Sequence, residues 1–250
     1  MLLVVAAGMV AGREQRGTRT DAPPTSASRR SDDTASTSRH GLTIAQRAAG
    51  VARRQPTPPA ELRRRVAALA SGTYVADILR EQDSTLYRWP ERLNDAVRVY
   101  VEPTSNVPDW NDALPNMTRD VFGEWSLTGF PLRFAFVYDS VDADVWIRWR
   151  DRFPDGDGQR IGVTERTQSS DFLIVRATIS IALHDSAGRV FPAPFVAGIV
   201  RHEVGHALGL NHASDSTSVM FADAATSTLS ASDHATLRLL YLVPPGTLKD

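Results

Sequence analysis

The segment that most restricts what this chain can fold into is residues 202–212, HEVGHALGLNH. His202 and His206 are four residues apart, so on a helix they are neighbours on one face. Their imidazoles can then converge on a single ion at the roughly 2.0–2.1 Å bonds that zinc requires. Glu203 sits a third of a turn from His202, close enough to reach a water at that ion without taking a coordination position, which is the place of a general base. His212 sets the harder condition. In an uninterrupted helix it would lie about 15 Å along the axis from His202, too far to share the ion. The helix must therefore stop and the chain turn back, and Gly209 permits this because glycine adopts the left-handed backbone that ends helices at little cost. The chain has no cysteine, so thiolate zinc sites, disulfides and a cysteine nucleophile are all excluded.

The flanking sequence predicts the elements that would carry such a turn. Pro192 and Pro194 suit the start of a helix over 195–210. Upstream, Trp110, Leu114, Met117, Val121 and Trp125 are spaced by three or four and predict a helix within 108–125. Residues 98–101, 132–138, 143–149 and 172–183 read as strands, and 160–167 (RIGVTERT) as a shorter one with polar, unblocked edges. Leu62, Val66 and Leu69 at helical spacing predict a helix over 61–69, and 42–54 could form a weaker one. This is the pattern of an α/β domain. Residues 13–60 contain no Phe, Trp or Tyr and are dense in Ser, Thr, Arg and Pro, which predicts a disordered linker. The expected organisation is an apolar segment over 1–12, the linker over 13–60, a helical segment over 61–95 and a catalytic domain over 96–250.

HEVGHALGLNH resembles the extended zinc motif of the metzincins, and Ser218-Val219-Met220-Phe221 resembles their Met-turn, with Met220 as the methionine beneath the metal. HASDSTSVMF, residues 212–221, is most similar to the matrixin branch in its bacterial form. LSASDHATLRLLY, residues 229–241, resembles the matrixins' last helix, with Asp233 in the position of an acid that steadies the Met-turn. ADVWIRW from Ala143 is similar to their central strand, so the likeness runs from about Ala96 to Tyr241. It implies an α/β (α+β) fold: a twisted mixed sheet with an antiparallel edge strand, an active-site helix and a small C-terminal subdomain. RIGVTERT is the candidate edge strand, where a peptide substrate would add as a further strand.

The resemblance implies a zinc-dependent endopeptidase acting on protein or peptide substrates. His202, His206 and His212 would hold one catalytic Zn2+ and Glu203 would act as general base. The alternative is a zinc-stabilised binding module that does not cleave. Glu203 favours the enzyme, because a purely structural zinc normally has four protein ligands and no positioned base. Phe221 and Ala222 stand where matrixins usually carry Tyr and Pro, which implies a different wall to the specificity pocket. No histidine lies in the stretch of the domain before His184, so no second, structural zinc is expected, and without cysteine there is no cysteine-switch latency. Residues 155–158 (DGDG) are a candidate Ca2+ loop and also a good turn, the reading favoured here. His40, His184 and His234 are placed outside the site.

A net charge of −1 leaves no excess of positive charge for nucleic acid or a polybasic membrane contact. Residues 1–12 (MLLVVAAGMVAG) are too short to span a bilayer, which needs roughly 20 residues. Their length suits a signal-peptide core with cleavage among the small residues 6–12, although no Lys or Arg precedes them. An exported, secreted or periplasmic monomer with its N-terminus near a membrane is the expectation.

Overall fold

The structure, a computed structural model, describes residues 6–9, 56–91, 95–154, 160–223 and 228–250. In chain order the elements are β1 (Ala6–Met9), α1 (Pro59–Leu69), α2 (Val75–Glu81), β2 (Thr85–Leu86), β3 (Val97–Val101) and α3 (Ala113–Ser126). They continue with β4 (Phe134–Phe136), a 3-10 turn (Ser140–Asp142), β5 (Val145–Arg150), β6 (Gly162–Gln168) and β7 (Ile174–Ala182). The chain ends with α4 (Ala193–Ala207), α5 (Ala231–Leu242) and β8 (Gly246–Thr247).

The main sheet has strand order β1-β6-β7-β5-β3-β4. β3, β4, β5 and β7 run parallel, and β6 runs antiparallel to β7. This is a mixed α/β fold with an antiparallel strand beside α4. Val145, Ile147 and Trp149 alternate inward along β5, while β7 is buried over most of its length, as a strand covered on both faces must be. Each fully buried aliphatic side chain of this kind contributes about 1.5–3 kcal/mol. α3 and α4 cover one face, where Phe122 of α3 meets Phe134 and Phe136 of β4 with ring centroids 4.9 and 5.8 Å apart.

Several boundaries differ from the sequence reading for local reasons. α3 begins at Ala113 rather than near 108 because Asp109 has a positive φ of 61°, so Trp110 lies before the helix, half-buried. α4 starts at Ala193, with Pro192 as its cap, and stops at Ala207. Residues 75–81 gave no periodic signal, being too short, yet they form α2, whose stability must come from tertiary contacts. β6 pairs with β7 as expected, but its other side is not open. β1 pairs with it in parallel, from Ala6 opposite Val163 to Met9 opposite Arg166. The DGDG loop at 155–158 and the weak helix at 42–54 lie outside the described residues.

The C-terminal part joins the segment between β1 and β3. β2 pairs antiparallel with β8, and the Tyr74 amide donates to Thr236 Oγ1 on α5 at 3.1 Å. α1 and α2 therefore pack on the same body as the sheet and α4.

Candidate metal centre

α4 ends where the histidine spacing demands. Gly209 has φ +107°, and a Cβ there would come within 2.5 Å of Tyr87 O, so only glycine fits the turn. The amide of Leu210 donates to Gly205 O at 3.0 Å and that of Gly209 to His206 O at 2.9 Å, which closes the helix. Side chains also donate to carbonyls at this helix end, where main-chain partners run out. Trp89 Nε1 donates to Ala207 O at 2.8 Å, Tyr241 Oη to Leu208 O at 3.0 Å, and Arg166 Nη1 to His206 O at 3.1 Å.

With the chain turned back, His212 meets the other two rings. Ring centroids of His202 and His206 are 4.6 Å apart, and those of His212 lie 5.4 and 4.8 Å from them. One ring nitrogen from each lies within 4.8 Å of the others, so the three could hold a metal ion. The opposite nitrogens are fixed. His202 Nδ1 donates to Val219 O at 2.7 Å and His206 Nδ1 to Leu210 O at 3.0 Å. His212 Nδ1 faces Glu81 Oε1 at 3.3 Å. Each ring thus turns its Nε2 toward the shared point. Burial, then the nearby His212 ring, pulls His202 down to about 3, and His206 is lowered by burial and by both other rings. Neutral imidazole is the form that binds a metal.

Glu203 is fully buried beside this cluster. The Thr164 hydroxyl lies 2.6 Å from its Oε2 and 2.9 Å from its main-chain oxygen. Burial raises the carboxyl to about 8, against smaller lowering effects from Thr164 and Arg160. A divalent cation alongside would favour the carboxylate. Glu203 Oε1 and His212 Nε2 are both buried and find no hydrogen-bond partner in the protein. Two such unpartnered atoms, with the converging imidazoles of His202, His206 and His212, fit a zinc ion and its coordination chemistry better than a closed polar network.

Met220 is fully buried under α4, and a Cβ on Gly205 would strike its Sδ. Asp233 holds the turn that carries it. Its Oδ1 accepts from Ser218 Oγ at 2.5 Å, and its Oδ2 accepts from Val219 N at 3.0 Å and from Ser230 N at 2.7 Å. The structure therefore brings His202, Glu203, His206, His212 and Met220 together. His184 and His234 stand apart: His184 lies between Asp109 and Asp151 at 2.8 and 2.9 Å, and His234 against Thr128 at 2.7 Å.

Sequence reading missed the polar side chains of β6 and α2. Gly162, Thr164 and Arg166 alternate onto the face of β6 that meets α4. A Cβ on Gly162 would run into the Glu203 carboxyl, Thr164 binds Glu203, and Arg166 binds the end of α4. The available signal was an alternating strand whose buried positions are not aliphatic. On α2, Glu81 reaches His212 and Asn211. Burial pushes the Glu81 carboxyl up, but hydrogen bonds and charge from His212, with Asn211, leave it below its ordinary value.

Among models of known families, that of the matrixins matches residues 89–242. No curated protein matches the chain.

Proposed function

The chain belongs to the matrixin family, and from that premise we propose that it is a zinc-dependent endopeptidase cleaving extracytoplasmic proteins, with His202, His206 and His212 as metal ligands and Glu203 as general base. The observation that carries this reading is the pairing of three Nε2 atoms aimed at one point with a buried carboxylate oxygen, Glu203 Oε1, that has no partner in the protein. Three protein ligands with a base beside them suit a catalytic zinc, whereas a structural one takes four.

When bound, zinc supplies Lewis acidity, polarising a carbonyl oxygen and making water acidic enough to lose a proton near pH 7. The chain's own groups do the rest. Glu203 Oε1 takes the proton from the attacking water and later delivers it to the leaving amine. Thr164 fixes the other oxygen, Oε2, so that the free one keeps its direction. Gly162 leaves the carboxyl room, since any larger residue would displace it. The Nδ1 bonds keep the ligand rings from rotating or changing tautomer.

The substrate in this reading is an extended peptide added along the outer side of β6, the side that β1 lines in the structure. Action outside the cytoplasm is supported by the apolar run at 1–12, with its small residues at 6–12.

Metal analysis with peptide-library cleavage, on wild type and Glu203→Ala, tests the proposal. Both proteins should hold one zinc, a chelator should stop wild-type cleavage, and the substitution should lower turnover by roughly 10²–10⁴-fold. Undiminished turnover in zinc-loaded Glu203→Ala removes Glu203 from the mechanism, and a wild type that binds zinc but cleaves nothing leaves the binding module.

A further inference from the structure

The ring nitrogens of His202, His206 and His212 that point away from their shared centre are not held alike. Those of His202 and His206 meet main-chain carbonyls, while that of His212 faces a carboxylate. The carboxylate is Glu81, in the last turn of α2, and α2 lies before the residues that the matrixin family matches. Glu81 Oε2 also accepts from Asn211 Nδ2 at 3.0 Å and lies 3.3 Å from the His212 amide nitrogen. One turn earlier on the same face, Asp77 Oδ2 accepts from both the amide and the hydroxyl of Ser214, each at 2.9 Å. From β6, Arg166 Nη2 donates to Asn211 Oδ1 at 2.9 Å, and the amide of Gln82, at the end of α2, rests on the same oxygen. The segment 211–214, which begins just after the Gly209 turn, is thus gripped by side chains of α2 and β6. Nothing in the 202–212 motif itself supplies that grip.

A carboxylate behind a ligating imidazole fixes its tautomer and orientation and raises its basicity, and loss of such a partner typically lowers metal affinity 10–100-fold. We propose that Glu81 is the positioning residue for the third ligand, His212, and that α2 is consequently a permanent part of the catalytic unit rather than a leader removed on maturation. This rests on the zinc reading above.

Competition with a chromophoric chelator on the full chain tests it, using wild type, Glu81→Ala, Glu81→Gln and Asp77→Ala, with the visible spectrum of the cobalt-loaded proteins as a second readout. Glu81→Ala should weaken zinc binding 10–100-fold. Glu81→Gln, whose amide oxygen still accepts from the ring, should weaken it severalfold, and both should alter the cobalt spectrum. Asp77→Ala loosens the same loop without touching the ring and should stay within about threefold of wild type. Affinity in Glu81→Ala within threefold of wild type, or an equal loss in Asp77→Ala, overturns the assignment. Should Glu81→Ala not fold, Glu81→Gln decides, and wild-type affinity with a wild-type cobalt spectrum overturns it. A wild type that takes up no zinc would bring down the metal reading itself, and this inference with it, which is a different result from normal wild-type uptake with unaffected variants.

Discussion

Gly205 lies directly against the sulfur of Met220: a Cβ at position 205 would collide with Met220 Sδ and stand 3.1 Å from Trp125 Cζ2. The Met-turn therefore presses into α4 between its two histidines, and a glycine is what lets it approach. Gly205→Ala should gain about 0.8–1 kcal/mol of helix propensity but lose about 1–3 kcal/mol to overpacking, so thermal unfolding should show net destabilisation. Gly123 is the contrast, on the exposed face of α3 with nothing within 4 Å of a Cβ. Gly123→Ala should stabilise by about 0.5–1 kcal/mol. Equal effects at the two positions would remove the close contact from the account.

Burial of Glu203 carries a pH signature in metal-free protein. Its carboxyl is raised from 4.5 to about 8, so the folded state binds this proton more tightly than the unfolded chain does. The stability it contributes is present below 4.5 and is lost as pH rises through about 8. His202, lowered from 6.5 to about 3, acts oppositely, its contribution being lost as pH falls through that range. Comparing wild type with Glu203→Gln cancels the histidines, which both proteins share. With zinc chelated, the variant should gain on wild type between pH 5 and pH 9 by something on the order of 3–5 kcal/mol. Denaturant unfolding at the two pH values measures this, and a constant difference would mean that the carboxylate is solvated.

What the sequence made legible was whatever has a period or a fixed spacing. The histidine positions and Gly209 follow from helix geometry, and β5 from apolar alternation. Asp233 was found only through resemblance, because its partners, Ser218 and Val219, are fourteen or fifteen residues away and no local pattern joins them. Glu81 was hidden for a further reason. α2 spans only Val75–Glu81, and the residue Glu81 faces lies 131 positions on. Gly162, Thr164 and Arg166 were visible as a strand but not as a site, since polar residues on a short strand suggest a solvated edge until a helix is known to cover them.

Asp233 should be among the costliest single positions outside the histidine cluster. It is fully buried and accepts hydrogen bonds from Ser218, Val219 and Ser230 while capping α5. Asp233→Ala leaves at least two buried donors unsatisfied, at about 1–3 kcal/mol each, and frees the turn that carries Met220. Loss of about 3 kcal/mol or more in denaturant unfolding is the expected outcome. Zinc affinity should fall as well, because the Val219 oxygen that holds His202 Nδ1 belongs to the same turn. A variant that unfolds like wild type would show that the turn is held by packing alone.

The pairing of β1 with β6 predicts how the N-terminal residues affect catalysis. Main-chain groups on an outer strand can satisfy one neighbour at a time, and residues 6–9 use those of Val163 through Arg166. Ala7 stands opposite Thr164, the residue that holds Glu203, so the occupied strip flanks the proposed base. A peptide substrate binding there must displace β1. Cleavage of an export signal after residue 9 would remove the competitor altogether. Protein beginning at residue 13 should therefore hydrolyse peptides with a KM at least severalfold lower than residues 1–250, and with kcat nearly unchanged, because the competition is for binding and not for chemistry. Identical KM values for the two forms would place the substrate elsewhere than along β6, and a change in kcat alone would mean that β1 acts on Glu203 rather than on the peptide.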